Sequence, residues 1–134
     1  MARSYLLDTN IISALVRHPH GSTAQKIIDV GGHAVCTSIV VSSELQFGAR
    51  KAGSERLQKQ VDAVLSAIEI LPLDQPVDVE YAKVRHHLES NGSVIGPNDM
   101  LIGAHARSLG MTVVTANERE FRRIPGLMVE NWLG

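Results

Sequence analysis

The stretch Ser93-Val-Ile-Gly-Pro-Asn-Asp99-Met-Leu-Ile-Gly-Ala-His-Ala106 places one carboxylate in the first turn of a helix that is otherwise predicted to be buried. A Gly-Pro pair ends the structure before it, and Asn98 is the predicted N-cap. The residues three, four and seven positions after Asp99 share its helix face, and they are Ile102, Gly103 and Ala106. A carboxylate at the head of such a stripe either complements the helix dipole, worth typically ~0.3–1 kcal/mol, or belongs to a site.

The chain on both sides of this helix alternates between short apolar runs and helical periodicity. Predicted strands cover residues 4–7, 33–37, 69–73, 111–115 and 127–129. Predicted helices begin at Thr9, Ser22, about Ser38, Glu55, Pro76 and Asn98, and residues 116–121 form a short helical turn. Because three of the strands are nearly all apolar, the pattern predicts an α/β fold with a mostly parallel sheet covered on both faces. The third strand contains Pro72, which predicts an edge position.

The composition predicts one ordinary globular domain over residues 1–134. Thirteen Lys and Arg against fourteen Asp and Glu give a net charge of minus one, so nucleic acid would have to be held by a local patch or through metal ions. The single cysteine, Cys36, lies in an apolar run and is interpreted as a small buried filler in a reducing compartment. No signal peptide or membrane span is predicted, so the protein is expected in the cytoplasm.

Four further polar residues occupy places comparable to that of Asp99. Asp8 follows the first strand, Glu44 lies near the start of the helix after the second, and Asn117 and Glu120 follow the fourth. The ligand crevice of an α/β sheet lies beyond the carboxyl ends of its strands, so these side chains would meet there. Asp99 joins them only if the loop before its helix brings it to that edge.

Convergent carboxylates would require a counterion. Two unit charges ~4 Å apart repel by about 4 kcal/mol at an effective dielectric of 20, so clustered acids must protonate or hold cations. A set of oxygen ligands without His or Cys favours Mg²⁺, with Mn²⁺ as the alternative, over zinc. The six histidines lack a metal-binding spacing and are interpreted as exposed or as satisfied packing residues. A Gly-rich phosphate loop, a G-x-S-x-G elbow and a Cys/His dyad are absent from the sequence.

At this point the ordered motifs resemble a known family, the PIN-domain ribonuclease toxins of VapBC toxin–antitoxin modules. The motifs are Leu6-Leu-Asp8-Thr-Asn10, Glu44 with Gly48-Ala49, Gly96-Pro-Asn-Asp99-Met-Leu-Ile-Gly-Ala-His-Ala106, and Val113-Val-Thr-Ala-Asn117 followed by Glu120-Phe121. The ending, Arg123-Ile-Pro-Gly-Leu127 through Glu130-Asn-Trp132, is also similar to that of VapC proteins. The likeness spans the whole chain.

The resemblance implies a three-layer α/β/α sandwich and Mg²⁺-dependent hydrolysis of RNA, with tRNA the favoured substrate. It also implies inhibition of translation until a VapB-type antitoxin binds with its C-terminal segment in the active-site groove, and a homodimer within the toxin–antitoxin complex. Asp8, Glu44 and Asp99 match the family's three principal acids and would be the metal ligands. Many members carry a fourth Asp after the last buried strand, where this chain offers Asn117 and Glu120 instead.

The implied chemistry assigns a role to each remaining residue. Metal held by Asp8 and Asp99 would orient a phosphate and acidify the attacking water. Glu44 would bind that water or a second ion, Glu120 would hold the outer shell, and Asn117 would hydrogen-bond Asp8 or water. The residues predicted to contact the RNA are Arg50, Lys51, Thr115 and Arg119.

Two alternatives remain open at the level of sequence. A response-regulator receiver is also an α/β fold with an acidic Mg²⁺ pocket, but it needs an Asp ending its third strand and a Lys ending its fifth. The corresponding residues here are Leu73 before Asp74, and Glu130. A non-catalytic module that keeps the acids to bind an antitoxin segment would use the same residues as a nuclease.

Overall fold

A computed structural model describes residues 4–133, so residues 1–3 and 134 of the predicted domain lie outside the described part. The five strands are β1 (Tyr5–Leu7), β2 (Val35–Ser38), β3 (Glu69–Leu71), β4 (Thr112–Val114) and β5 (Val129–Glu130). The helices are α1 (Thr9–Arg17), α2 (Ser22–Val30), α3 (Ile39–Ala52), α4 (Glu55–Ala67), α5 (Val77–Ser90), α6 (Pro97–Ser108) and α7 (Glu118–Phe121). A 3₁₀ turn, Gly32–Ala34, precedes β2.

The strands form one sheet in the order β3-β2-β1-β4-β5, with every neighbouring pair parallel. β1 is central, and Leu6 lies beside Cys36 of β2 and Val113 of β4. These three side chains are fully buried, as a parallel sheet covered on both faces requires. The prediction of a mostly parallel sheet with the Pro72 strand at an edge is confirmed.

The order in which strands are added to the sheet reverses at β1, although all the strands stay parallel. The chain builds outward through β2 and β3, and the α5–α6 connection then returns it to the other side of β1, where β4 pairs. Because parallel crossovers are right-handed, this reversal places the two sets of helices on opposite faces and gives the α/β/α layers. It also makes the gap between β1 and β4 the point where side chains can converge beyond the strand ends.

The helices cover the sheet in two groups. Helices α1, α3 and α4 pack on one another, and α5 packs on α6. Gly103 allows α6 to pack closely against the C-terminal segment, because a Cβ at this position would lie 2.3 Å from Ile124 Cδ1. Cys36 is buried, as predicted.

The element boundaries differ from the predicted ones in a few places. Helix α6 begins at Pro97 with Gly96 as its N-cap, so the prediction that Asn98 caps the helix is wrong. Proline suits the first helical position because its missing N–H would be unpaired there in any case. Asn98 therefore lies inside the first turn, and its side chain is available for a contact elsewhere. Within residues 4–133, no helix combines the length and apolar character needed to cross a membrane.

Candidate active site

Asp8 lies at the carboxyl end of the central strand and is only 2% exposed. It is the N-cap of α1, with its Oδ1 accepting a hydrogen bond from the Thr9 amide at 2.8 Å. Its Oδ2 accepts from Thr115 Oγ1 at 2.7 Å and from Asn10 Nδ2 at 3.5 Å. Burial is the largest influence and raises the pKa of Asp8, opposed by the hydrogen bonds from Thr115 and Thr9. The carboxyl group is thus held in one orientation by both strands of the β1–β4 gap.

Glu44 reaches the same edge from the second turn of α3. Ser38 at the end of β2 caps this helix by accepting a hydrogen bond from the Val40 amide, which fixes where α3 begins. Glu44 Oε1 accepts from Thr9 Oγ1, and its Oε2 accepts from Asn98 Nδ2 at 3.2 Å. Both carboxylate oxygens are therefore tied to helices that carry the other two acids.

Asp99 does reach this edge, as the sequence analysis required of the preceding loop. Its Oδ2 accepts a hydrogen bond from Asn117 Nδ2 at 3.1 Å, and the same amide group donates to Glu120 Oε2 at 3.0 Å. Asn117 thus bridges these two acids instead of bonding to Asp8, and the predicted bond to water stays a prediction. Asp99 Oδ1 accepts no hydrogen bond from residues 4–133 and is free to bind a ligand.

The pKa of Asp99 reflects its burial and the negative charge of the neighbouring carboxyl groups. Its pKa is raised from 3.8 to about 6, first by burial and then by Asp8, Glu120 and Glu44, while the bond from Asn117 lowers it. The four carboxyl groups come from the β1–α1 junction, α3, α6 and α7, so the repulsion is a property of the tertiary structure. A divalent cation would relieve it.

The acids have the chemistry of a magnesium site but do not form a closed cage. Among residues 4–133, no three His, Cys, Asp or Glu side chains have the arrangement to hold one ion. Mg²⁺ commonly takes one or two carboxylates and keeps several waters, so this arrangement is compatible with it. Asp8 and Asp99 fit direct ligation, since each has an oxygen lone pair left after its hydrogen bonds. Glu44 accepts one bond at each oxygen, from Thr9 and from Asn98, and so also keeps lone pairs for an ion or for the attacking water. Its direct ligation stays a prediction.

An open groove of about 450 Å³ contains three of the four acids, and Glu120 is not in its lining. Its lining consists of Asp8, Thr9, Asn10, Ser13, Arg17, Glu44, Asp99 and Asn117. The three cations predicted to contact RNA, Arg50, Lys51 and Arg119, are exposed and are not in this lining. Thr115 is fully buried and donates to Asp8, so its hydroxyl can orient that carboxylate but cannot reach a substrate.

Several residues of the site were not singled out by sequence reasoning. Asn10 bridges the two halves of the sheet edge, because its Oδ1 accepts from the Ala116 amide at 2.9 Å while its amide group donates to Asp8. Thr9 and Asn98 both bond to Glu44. Thr9 and Asn10 follow Asp8 directly and Asn98 precedes Asp99, so their positions in the sequence indicated that they would lie near the site. Arg17 offered no such signal, since it lies nine residues from the nearest of these acids along the chain.

Comparison with known proteins places the chain in a family. A model of the PIN domain matches residues 5–127. The chain is 38% identical over 130 residues to Ribonuclease VapC2 of Rickettsia felis, an alignment that covers 96% of this chain and 97% of the relative. The chain belongs to the VapC family of PIN-domain proteins. It is also 33% identical over 129 residues to the tRNA(fMet)-specific endonuclease VapC of Salmonella typhimurium, covering 96% of this chain and 97% of that one.

Solved VapC structures agree with the fold. The structure of VapBC2 from Rickettsia felis bound to a promoter DNA fragment matches with a TM-score of 0.89 at 35% identity, over 98% of this chain and 99% of that one. The DNA-bound VapBC of Salmonella typhimurium matches with a TM-score of 0.87 at 31% identity, over 97% and 98%. The predicted fold class and family resemblance are therefore confirmed, and a VapC assignment replaces the receiver alternative.

Proposed function

We propose that this VapC protein is a metal-dependent endoribonuclease that hydrolyses RNA phosphodiesters, with Mg²⁺ as its cofactor and Mn²⁺ as the alternative. The observation that carries the proposal is the Asp99 carboxyl group, whose pKa is raised to about 6 by burial and by acids from three other elements. Clustered carboxylates of this kind are costly unless they serve a ligand.

In this proposal, Asp8 and Asp99 would hold the ion at the β1–β4 gap. The bound ion would supply positive charge for the attacked phosphate and increase the acidity of the nucleophilic water. Glu44, oriented by Thr9 and Asn98, would accept a hydrogen bond from that water and direct it toward phosphorus. Glu120, held through Asn117, would complete the outer set of hydrogen bonds. The attack would form a P–O bond to the water oxygen, whose proton would pass by way of Glu44 to solvent, and would break the bond from phosphorus to a ribose oxygen, which would take a proton from solvent.

The relatives support a proposal for the cellular role. The relative from Salmonella typhimurium is named a tRNA(fMet)-specific endonuclease, which favours tRNA as the substrate here. Solved relatives are VapBC complexes, which supports a VapB-type antitoxin as partner. We therefore place this chain in the cytoplasm as a toxin that inhibits translation until its antitoxin binds, with a homodimer inside that complex.

The direct test is cleavage of purified total tRNA by the metal-free protein with and without added Mg²⁺. We expect cleavage with Mg²⁺ or Mn²⁺, none in EDTA, and a loss of at least 100-fold in Asp99→Asn, since removing a principal electrostatic group commonly costs that much. Arg85→Gln is a suitable control, because Arg85 lies on α5 and pairs with Glu89 away from the acids.

One observation favours a second function, a non-catalytic module that binds the antitoxin. An apolar groove of about 400 Å³ adjoins the acidic one and is lined by residues of α1, α3 and α4, among them Leu45, Ala49, Leu57 and Val61. It suits an apolar peptide side chain. If no divalent ion supports cleavage of tRNA or total RNA while a VapB-derived peptide still binds, this second function replaces the nuclease.

A further inference from the structure

One face of α1 carries three polar residues, and only the first of them, Thr9, bonds to the acids. Thr9, Ser13 and Arg17 follow one another at four-residue spacing, so their side chains lie in a row along one helix face. All three line the acidic groove, and all three also line the adjoining apolar groove. The row therefore marks the junction of the two grooves over the length of the helix.

The two polar groups at the far end of this row have no hydrogen-bond partner among the described residues. Thr9 donates to Glu44, but neither the Ser13 hydroxyl nor the Arg17 guanidinium has a hydrogen-bond or ion-pair partner among residues 4–133. Ser13 is partly buried, whereas Arg17 is exposed in the last turn of the helix. Two donor groups thus face a groove whose opposite end is negatively charged. Arg17 forms no ion pair with the acids among residues 4–133, and Asp8 lies nine residues, or roughly 13 Å of helix rise, away.

Phosphate is the ligand chemistry that these two donors fit. A guanidinium presents paired N–H groups to phosphate oxygens, and a hydroxyl adds a third donor. The wall opposite is apolar and open, since a Cβ at Gly48 would have no atom within 4 Å. An RNA strand would need a neutral or apolar wall beside its bases and cations beside its phosphates.

We infer that Ser13 and Arg17 form a phosphate subsite for the RNA strand, in the same groove as the acids. This inference rests on the proposed nuclease function and adds the path of the strand. The RNA runs from the acids along α1 toward Arg17. The subsite takes the place of the predicted contacts from Arg50, Lys51 and Arg119, which lie outside the groove lining.

The test measures binding separately from cleavage. A fluorescein-labelled 12-nucleotide single-stranded RNA is titrated in Mg²⁺ with the Asp99→Asn protein and with the same protein carrying Arg17→Gln, Arg17→Lys or Arg85→Gln, at several KCl concentrations. We expect Arg17→Gln to weaken binding about tenfold, as loss of a charge-assisted hydrogen bond does. The slope of log Kd against log[KCl] should fall by about 0.7, one phosphate contact on a single strand. Arg17→Lys should keep most of the slope, and Arg85→Gln should change neither quantity.

A second measurement locates the phosphate. Single linkages of the RNA are replaced in turn by neutral methylphosphonate, and one position should weaken binding to the Asp99→Asn protein but not to its Arg17→Gln derivative. An unchanged Kd and slope in Arg17→Gln, or an equal effect of every replacement on both proteins, overturns the subsite. Cleavage of RNA by the parent chain keeps the nuclease proposal intact in that case, whereas absence of cleavage with any divalent ion refutes the nuclease proposal itself.

Discussion

At the scale of single residues, Asp99 contributes unfavourably to folding in the absence of metal. Its pKa in the folded protein, about 6, exceeds the ordinary value of 3.8, so the folded state binds this proton more tightly than the unfolded state does. Stability due to this group is therefore present below pH 4 and is lost as the pH rises through 6. Asp99→Asn removes that loss.

We accordingly expect Asp99→Asn to raise the free energy of unfolding in EDTA at pH 8 by about 1 kcal/mol. One pKa unit corresponds to ~1.4 kcal/mol, and the value is reduced here because the half-buried carboxyl group is partly screened by solvent. Thermal unfolding should show a Tm increase of roughly 3 °C at pH 8 and none at pH 3.5. A lower Tm for Asp99→Asn at pH 8 would show that Asp99 acts as a favourable first-turn carboxylate instead.

Two buried threonines should respond in opposite ways to the same substitution. Thr115 donates to Asp8 and accepts from the Asn117 amide at 2.9 Å, whereas Thr23 Oγ1 is buried without a partner among residues 4–133. Thr115→Val should cost about 2 kcal/mol because it leaves buried polar groups unpaired, and Thr23→Val should be neutral or stabilising. Urea unfolding of the two variants measures the contrast. Thr115→Ser, which keeps the hydroxyl, should recover most of the stability, and equal losses in both valine variants would contradict the assignment.

At the scale of elements, the placement of α6 against α3 depends on a buried histidine. His105 of α6 is 1% exposed, and its Nδ1 lies 2.9 Å from Ser38 Oγ, the cap of α3. Ser38 Oγ also accepts from the Val40 amide, so one hydroxyl group connects His105 to the first turn of α3. The ring also contacts the Pro72 backbone carbonyl, and burial lowers the pKa of His105. This chain of bonds fixes the helices that carry Asp99 and Glu44.

A double-mutant cycle tests this connection. His105→Leu should destabilise by about 2 kcal/mol and Ser38→Ala by about 1–2 kcal/mol, because each leaves the other's buried polar group without a partner. The double variant should cost at least 0.5 kcal/mol less than the sum. Urea unfolding gives all four values. Strict additivity would mean that the two side chains stabilise their helices separately.

The elements themselves could be predicted from sequence because their signals are local. Apolar runs indicated the strands, and caps and periodicity indicated the helices, so α2 and α4 begin at the predicted residues, Ser22 and Glu55. Convergence of the acids depended on the sheet order and on the loop before α6, neither of which a local pattern encodes. The partner of Asn117 and the placement of Arg17 in the groove also depend on how helices pack across the sheet. The sequence therefore identified the acids but not the hydrogen bonds by which neighbouring side chains orient them.

At the scale of the whole molecule, the site joins the two halves of the sheet. Asp8 follows β1 and Thr115 follows β4. Helix α3, which carries Glu44, follows β2 on one side of β1, and helix α6, which carries Asp99, precedes β4 on the other side. A cation bound between Asp8 and Asp99 would therefore tie together segments more than ninety residues apart in sequence. It would stabilise the entire fold, because the unfolded chain has no such pair.

This coupling predicts a metal effect on stability that depends on pH. At a free Mg²⁺ concentration ten times Kd, the parent chain should gain about 1.4 kcal/mol at pH 8. Near pH 5 the ion must displace the proton of Asp99, whose pKa of about 6 implies roughly tenfold weaker binding per pH unit below that value, so most of the gain should vanish. Asp99→Asn should show no gain at either pH, whereas Arg85→Gln should follow the parent. Thermal unfolding of the three proteins over pH 5–8 measures the gain in stability from Mg²⁺. A gain that is equal at both pH values, or that persists in Asp99→Asn, would place the ion away from these acids.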